Sequence, residues 1–116
     1  MKILVKRAYD AAKKDDGFRI LVDRLWPRGV LKEKAKIDLW AKEVTPTASL
    51  RSWFHEDPEK HFKEFSKRYA KELAKGSAVA DLKKIIHGKK TVTLVTAVKD
   101  IDRSHIPVLL GHISVS

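Results

Sequence analysis

The decapeptide Ile20-Leu21-Val22-Asp23-Arg24-Leu25-Trp26-Pro27-Arg28-Gly29 sets a carboxylate, two guanidiniums and an indole directly behind three aliphatics. Three consecutive aliphatics read as a buried strand. A strand that runs into a charged, Pro/Gly-punctuated loop is how open α/β sheets place a binding crevice at the carboxyl ends of their strands. A second apolar segment ends in the same way, with Val98 giving way to Lys99-Asp100. If the two strands are parallel, Asp23, Arg24, Arg28, Lys99 and Asp100 meet on one edge of the sheet. His105, at the expected start of the last helix, faces that edge too, where a helix N-terminus adds backbone N–H donors suited to an anion.

Each of these side chains has a chemical reading and a structural one. Arg24 and Arg28 can clamp a carboxylate or phosphate bidentately, which the planar guanidinium does better than an ammonium; alternatively, one of them pairs with Asp23 and fixes the loop. Asp23 can orient an arginine or act as a base. His105 titrates near neutrality and is the natural candidate to move protons, or else a hydrogen-bonded structural histidine. Ser104-His105 is not a dyad, because adjacent helical residues do not face each other. Trp26 beside Pro27 can stack on a ring or anchor the core, with the Trp26–Pro27 bond a candidate for the cis form. Arg51 and His55 are four residues apart and share one helix face, which lines the crevice or meets solvent. Asp23 and His105 are therefore the candidate catalytic pair. Arg24, Arg28, Arg51, His55, Lys99 and Trp26 are the candidate binding groups.

The chain has no cysteine, which excludes disulfides, thiolate nucleophiles and Cys-ligated zinc. Its histidines, at 55, 61, 87, 105 and 112, lack metal-site spacing, and its glycines, at 17, 29, 76, 88 and 111, form neither a dinucleotide fingerprint nor a P-loop. No metal and no cofactor is expected.

The elements that must hold these residues follow from hydrophobic spacing. Residues 2–6 read as a first strand and 18–23 as a second, joined by a polar connection over 10–17 with room for one helical turn. Ile37, Trp40, Ala41 and Val44 fall at i, i+3, i+4 and i+7, which predicts a helix over about 36–44, broken by Thr45-Pro46-Thr47. Thr47 caps a short helix carrying Leu50, Trp53 and Phe54. Trp40 and Trp53 thus read as core. Asp57-Pro58 starts a longer helix to about Lys75, with Phe62, Phe65, Tyr69 and Leu73 on one face and Gly76 beyond its end. The pairs Glu59–Lys63 and Glu64–Arg68 sit at i,i+4 on it. Ser77 caps a further helix burying Val79, Leu82 and Ile86, with Gly88 at its C′ position. Residues 91–98 form a third strand. Pro107 requires the last helix to begin near Ser104 or His105, and Ile113 to Val115 is a candidate fourth strand. Helices between the second and third strands demand a crossover, so the expected fold is α/β: a small, mainly parallel sheet of three to four strands with flanking helices in Rossmann-like layers, one domain over residues 1–116.

The chain is 116 residues long, 43% hydrophobic and 34% charged, with a formal net charge of +10. That length suffices for a single core. No apolar stretch nears the roughly 20 residues of a membrane span, and Met1–Arg7 reads as a strand rather than a signal peptide, so cytoplasmic residence without membrane contact is the expectation. The excess charge, mostly lysine, attracts polyanions or anionic metabolites.

The blocks Val5-Lys6-Arg7-Ala8-Tyr9-Asp10, Leu21-Val22-Asp23-Arg24-Leu25-Trp26-Pro27-Arg28-Gly29, Leu50-Arg51-x-Trp53-Phe54-His55-x-Asp57-Pro58 and Thr93-Leu94-Val95-x-Ala97-x-Lys99-Asp100 together resemble the Domain of Unknown Function 488 family, in its YeaO-like branch. The resemblance spans nearly the whole chain. It implies a compact α/β fold of small cytoplasmic prokaryotic proteins and brings no assigned activity with it. Wider members carry a Cys-His-Arg-like block after the last core strand, where this chain has Asp102-Arg103-Ser104-His105-Ile106; no thiol-based role carries over. The YeaO-like branch tends to Asn-His-Ala there, and this chain keeps the His.

The expected function is binding of a small anionic molecule at the carboxyl edge, with action on it left open by the residues. Two rivals stand beside it: a nucleic-acid-binding module using the basic surface with Trp26 stacking on a base, and a protein-interaction module without chemistry.

Overall fold

The computed structural model describes residues 1–114. Four parallel strands, β1 (Lys2–Arg7), β2 (Phe18–Leu21), β3 (Leu39–Trp40) and β4 (Thr91–Thr96), form one sheet in the order β1-β4-β2-β3. The expected α/β class, the parallel pairing of the three longer strands and their adjacency all hold. β4 lies at the centre, in register with Lys2–Arg7 on one side and Phe18–Leu21 on the other.

Side-chain alternation divides the sheet into two unequal faces. Ile20, Val22, Val92 and Leu94 point into the main core, which receives Leu50 and Phe54 from α2 (Ala48–Glu56), Phe65, Tyr69 and Leu73 from α3 (Pro58–Ala74), Leu82 and Ile86 from α4 (Ala78–Ile86), and Ile106, Leu109 and Ile113 from α5 (Ile106–Ser114). Leu21 and Val95 point the other way, into a thinner cluster with Ala8, Trp26, Ile37 and Trp40. The short helix α1 (Lys32–Ala35) and the loop carrying Trp26 cover this second face.

Helix starts follow the capping signals. Thr47 Oγ1 accepts from Leu50 N–H, and Asp57 Oδ1 accepts from Lys60 N–H with Pro58 in the first turn. Gly76 and Gly88, each at positive φ, follow the ends of α3 and α4. Ser77 departs from expectation: its hydroxyl donates to the Asp81 carboxylate at 2.9 Å instead of capping the backbone. Glu64–Arg68 forms at 3.1 Å, whereas Glu59 faces Arg103 at 3.6 Å.

The helix expected over 36–44 is not one. β3 occupies its middle and a 3-10 turn its end, at Lys42–Val44. Ile37 and Trp40 pack on the thin face while Ala41 and Val44 pack in the main core. A helical stripe cannot serve opposite faces of a sheet, so extended backbone wins here. The candidate strand at Ile113 to Val115 is also corrected: Ile113 is a buried residue of α5, which a strand conformation would take out of the core, and Val115 lies outside the described residues. No helix among the described residues is long and apolar enough to cross a membrane.

Phe65 is 2% exposed and stacks on Phe54 at 4.2 Å between centroids. Phe65→Ala is expected to cost about 3–5 kcal/mol, and Asp57→Ala, which removes one cap, about 1 kcal/mol. Urea midpoints of the two variants check both the values and their order.

Candidate functional site

The carboxyl ends of β2 and β4 are tied together by one carboxylate. Asp23 Oδ1 accepts from Thr96 Oγ1 at 2.6 Å and Oδ2 from Ala97 N–H at 2.7 Å, which takes the next backbone donor out of the ladder and ends β4 at Thr96. The Asp23 carbonyl accepts from Trp40 Nε1 at 2.7 Å. His105, 8% exposed, donates Nε2–H to the Val22 carbonyl at 2.7 Å, with Asp23 Oδ1 3.4 Å from the same nitrogen. A carbonyl can only accept, so this contact assigns the proton to Nε2. Burial alone would raise the Asp23 carboxyl. The hydrogen bonds from His105, Thr96 and Ala97, with the His105 charge, outweigh it and hold the group below its ordinary value of 3.8.

Above this frame lies a cavity of about 380 Å³. Its walls include Asp23, Arg24, Trp26 and Arg28 from the loop after β2, Arg51 and His55 from α2, the backbone of Ala97 and Val98, and His105. The geometry thus brings together every candidate residue except one. Lys99 is exposed and outside the lining, because the chain turns away after Val98, held by Arg7, which donates to the carbonyls of Val98 (3.2 Å) and Ala97 (3.3 Å).

Neither arginine of the loop pairs with Asp23. Arg24 Nε donates to the Pro46 carbonyl at 3.0 Å, which fixes its guanidinium plane. Among the described residues the guanidiniums of Arg28 and Arg51 have no hydrogen-bonding or ionic partner. Trp26 is a half-buried anchor: its Nε1 donates to the Val30 carbonyl at 2.8 Å, its ring meets Trp40 edge-on at 5.5 Å, and the peptide bond to Pro27 is trans. His55 is held below its ordinary value of 6.5 by partial burial and by the charges of Arg51 and His105. The cavity therefore carries three guanidiniums and two imidazoles against one carboxylate whose acceptors are already occupied.

Sequence reasoning missed Pro46 as the acceptor for Arg24, and Arg7 as the buttress of the β4 exit. In the sequence Pro46 reads only as a helix breaker. The signal for Arg7 is its place within the first block that carries the family resemblance.

Asp23→Asn puts an amide N–H₂ in place of one of two oxygens that each already face a donor, and is expected to destabilise the fold by about 1–3 kcal/mol at neutral pH. Because the folded carboxyl is depressed, its contribution is complete above pH 3.8 and is lost as pH falls through the lower folded value. Stability curves of wild type and variant should accordingly converge in that acid range; a constant gap down to full protonation would contradict the network.

The comparisons agree with the resemblance read in the sequence blocks. An uncharacterized protein of Mycobacterium tuberculosis (strain ATCC 25618 / H37Rv) is 44% identical over 108 residues, covering 93% of this chain and 90% of its own. The uncharacterized protein YeaO of Escherichia coli (strain K12) is 42% identical over 113 residues, covering 94% of each. No solved structure matches at a significant level. A family model described as the inactive DUF488-N3 subclade matches residues 2–115. The chain, with its Asp23-centred sheet edge, belongs to this subclade of the DUF488 family.

Proposed function

We propose that the protein binds a small anionic molecule, a phosphate or carboxylate, in the cavity at the carboxyl edge of its sheet, and does so without transforming it. The observation that carries the reading is the charge imbalance of that cavity, with Arg28 and Arg51 unpaired beside Arg24 and His55 while the one carboxylate is fully engaged. Unpaired cations are held close at a cost that a bound anion removes, and guanidiniums are the groups best shaped to take oxyanions in pairs.

Asp23 and His105 are the groups that would carry chemistry, and the bonding of Asp23 and of the His105 Nε2 argues for a positioning role. The Asp23 oxygens face Thr96, Ala97 and His105, and the Nε2 proton of His105 is committed to a backbone carbonyl. A base needs a free lone pair in reach of substrate, which the bonding denies to Asp23 and leaves to His105 only at Nδ1. The subclade's description as inactive is in keeping with this. Cytoplasmic residence, where anionic metabolites are abundant, is part of the same proposal.

Calorimetry and thermal shift with inorganic phosphate and sulfate test it. A ligand that binds only the folded state raises its apparent stability. Arg28→Ala and Arg51→Ala should each weaken binding by about tenfold or more, the worth of a charged hydrogen bond. Neither loses a structural partner, so urea midpoints should stay within about 0.5 kcal/mol of wild type. No stabilisation by either anion, or undiminished binding by both variants, overturns the proposal.

A bound anion should lift the depressed His55 titration, so binding takes up a proton and tightens as pH falls through and below 6.5. Sulfate keeps its charge over that range and isolates the histidine's part. His55→Gln should weaken the pH dependence while leaving measurable sulfate binding.

A further inference from the structure

The carboxyl-edge cavity uses only part of the net +10 charge. At the opposite edge, where β1, β2 and β4 begin, a cavity of about 690 Å³ opens among Lys2, Lys14, Lys89 and Lys90. A second of about 330 Å³ adjoins it, adds Lys13 and Lys36, and shares Lys14, Gly17 and Asp38 with the first. The two form a continuous track that has no residue in common with the anion cavity described above.

The track is positive by construction. Behind it the buried Asp16 carboxylate serves both Lys6, at 3.1 Å, and Arg19, at 2.6 Å, so two cations share one anion. Arg19 is 3% exposed and lines the second cavity, and its Nη2 has no partner among the described residues. Two acids line the track against six lysines and Arg19: Asp15 is exposed, and Asp38 is turned to the backbone N–H of Arg19 at 2.8 Å. Gly17 brings the lysine-bearing turn against the start of β4: at φ +65, a Cβ there would come within 2.3 Å of the Thr91 carbonyl oxygen.

We propose that this amino edge binds the sugar–phosphate backbone of a nucleic acid without reading its sequence. Protein interfaces have apolar cores depleted in lysine. Here lysines line the track, and Phe18, the aromatic among them, is half-buried with the Lys89 ammonium 4.3 Å from its ring. Lysines are mobile point charges that follow a chain of phosphates, and contacts of that kind position a nucleic acid while carrying no sequence information. With no free aromatic face along the track, the bases are left unstacked and unread.

Fluorescence polarisation of the full chain with a short random-sequence DNA duplex, across a salt series, tests the proposal. The logarithm of affinity should fall linearly with the logarithm of salt, with a slope of about −3.6 to −5.4 for four to six neutralised phosphates. The exposed Lys13, Lys14 and Lys90 changed together to Glu should weaken duplex binding by at least about tenfold at low salt and flatten the slope. The triple variant should keep the phosphate-induced thermal shift of the opposite cavity and a wild-type circular dichroism spectrum. Should the triple variant not fold, Lys14→Glu alone, at the lysine common to both cavities, must weaken binding in the same direction. Duplex binding that none of these substitutions changes overturns the assignment. Binding of a polyglutamate peptide as tight as the duplex at equal salt also overturns it, in favour of an acidic protein partner.

Discussion

The architecture turns on the Asp23 carboxylate. Its two oxygens hold the last hydroxyl of β4 and the first amide beyond it, its own carbonyl holds the indole of Trp40 on β3, and His105 bridges from the head of α5 to the same corner. Three segments distant in sequence thus converge on one residue at the end of β2. A buried carboxylate is tolerated only when its acceptors are filled, so the surroundings must assemble completely or the site costs more than it contributes. The depressed titration of Asp23 is the electrostatic signature of that completeness.

Once Asp23 is satisfied by neutral donors and an imidazole, the arginines nearby are released from structural duty. Arg24 is anchored at a carbonyl, whereas Arg28 and Arg51 line the cavity with guanidiniums that have no partner among the described residues. Asp23 and His105 are bonded to the sheet edge, and the three arginines supply most of the positive charge of the cavity beside them. The sheet also separates two positive regions, arginine-rich at its carboxyl edge and lysine-rich at its amino edge. Arginine suits a localised oxyanion and lysine an extended one, so the two edges differ in kind as well as place.

Most of the fold was legible because its signals are local. Asp57-Pro58 and Thr47 cap the helices they promise, the aliphatic runs at 18–23 and 91–98 pair as parallel neighbours, and the helices between them dictate the crossover. The segment at 37–44 was not legible. Its spacing fits a helix by coincidence, since four apolar residues divided between two faces of a sheet give the same pattern as four on one stripe.

For the site, residue types and chain order were enough to place Asp23, Arg24, Arg28 and His105 at one edge, and the four-residue spacing put Arg51 and His55 on one helix face. Tertiary structure alone decided which partners they took. That Thr96, rather than an arginine, meets Asp23, that Lys99 turns out to solvent while Arg7 holds the turn, and that Trp26 spends its N–H on Val30, all depend on contacts across long stretches of chain. Periodicity and capping are written within a few residues and survive in any fold that uses them. Hydrogen-bond partnership between side chains depends on the distance and direction of groups brought together only when the sheet closes, and nothing local encodes it.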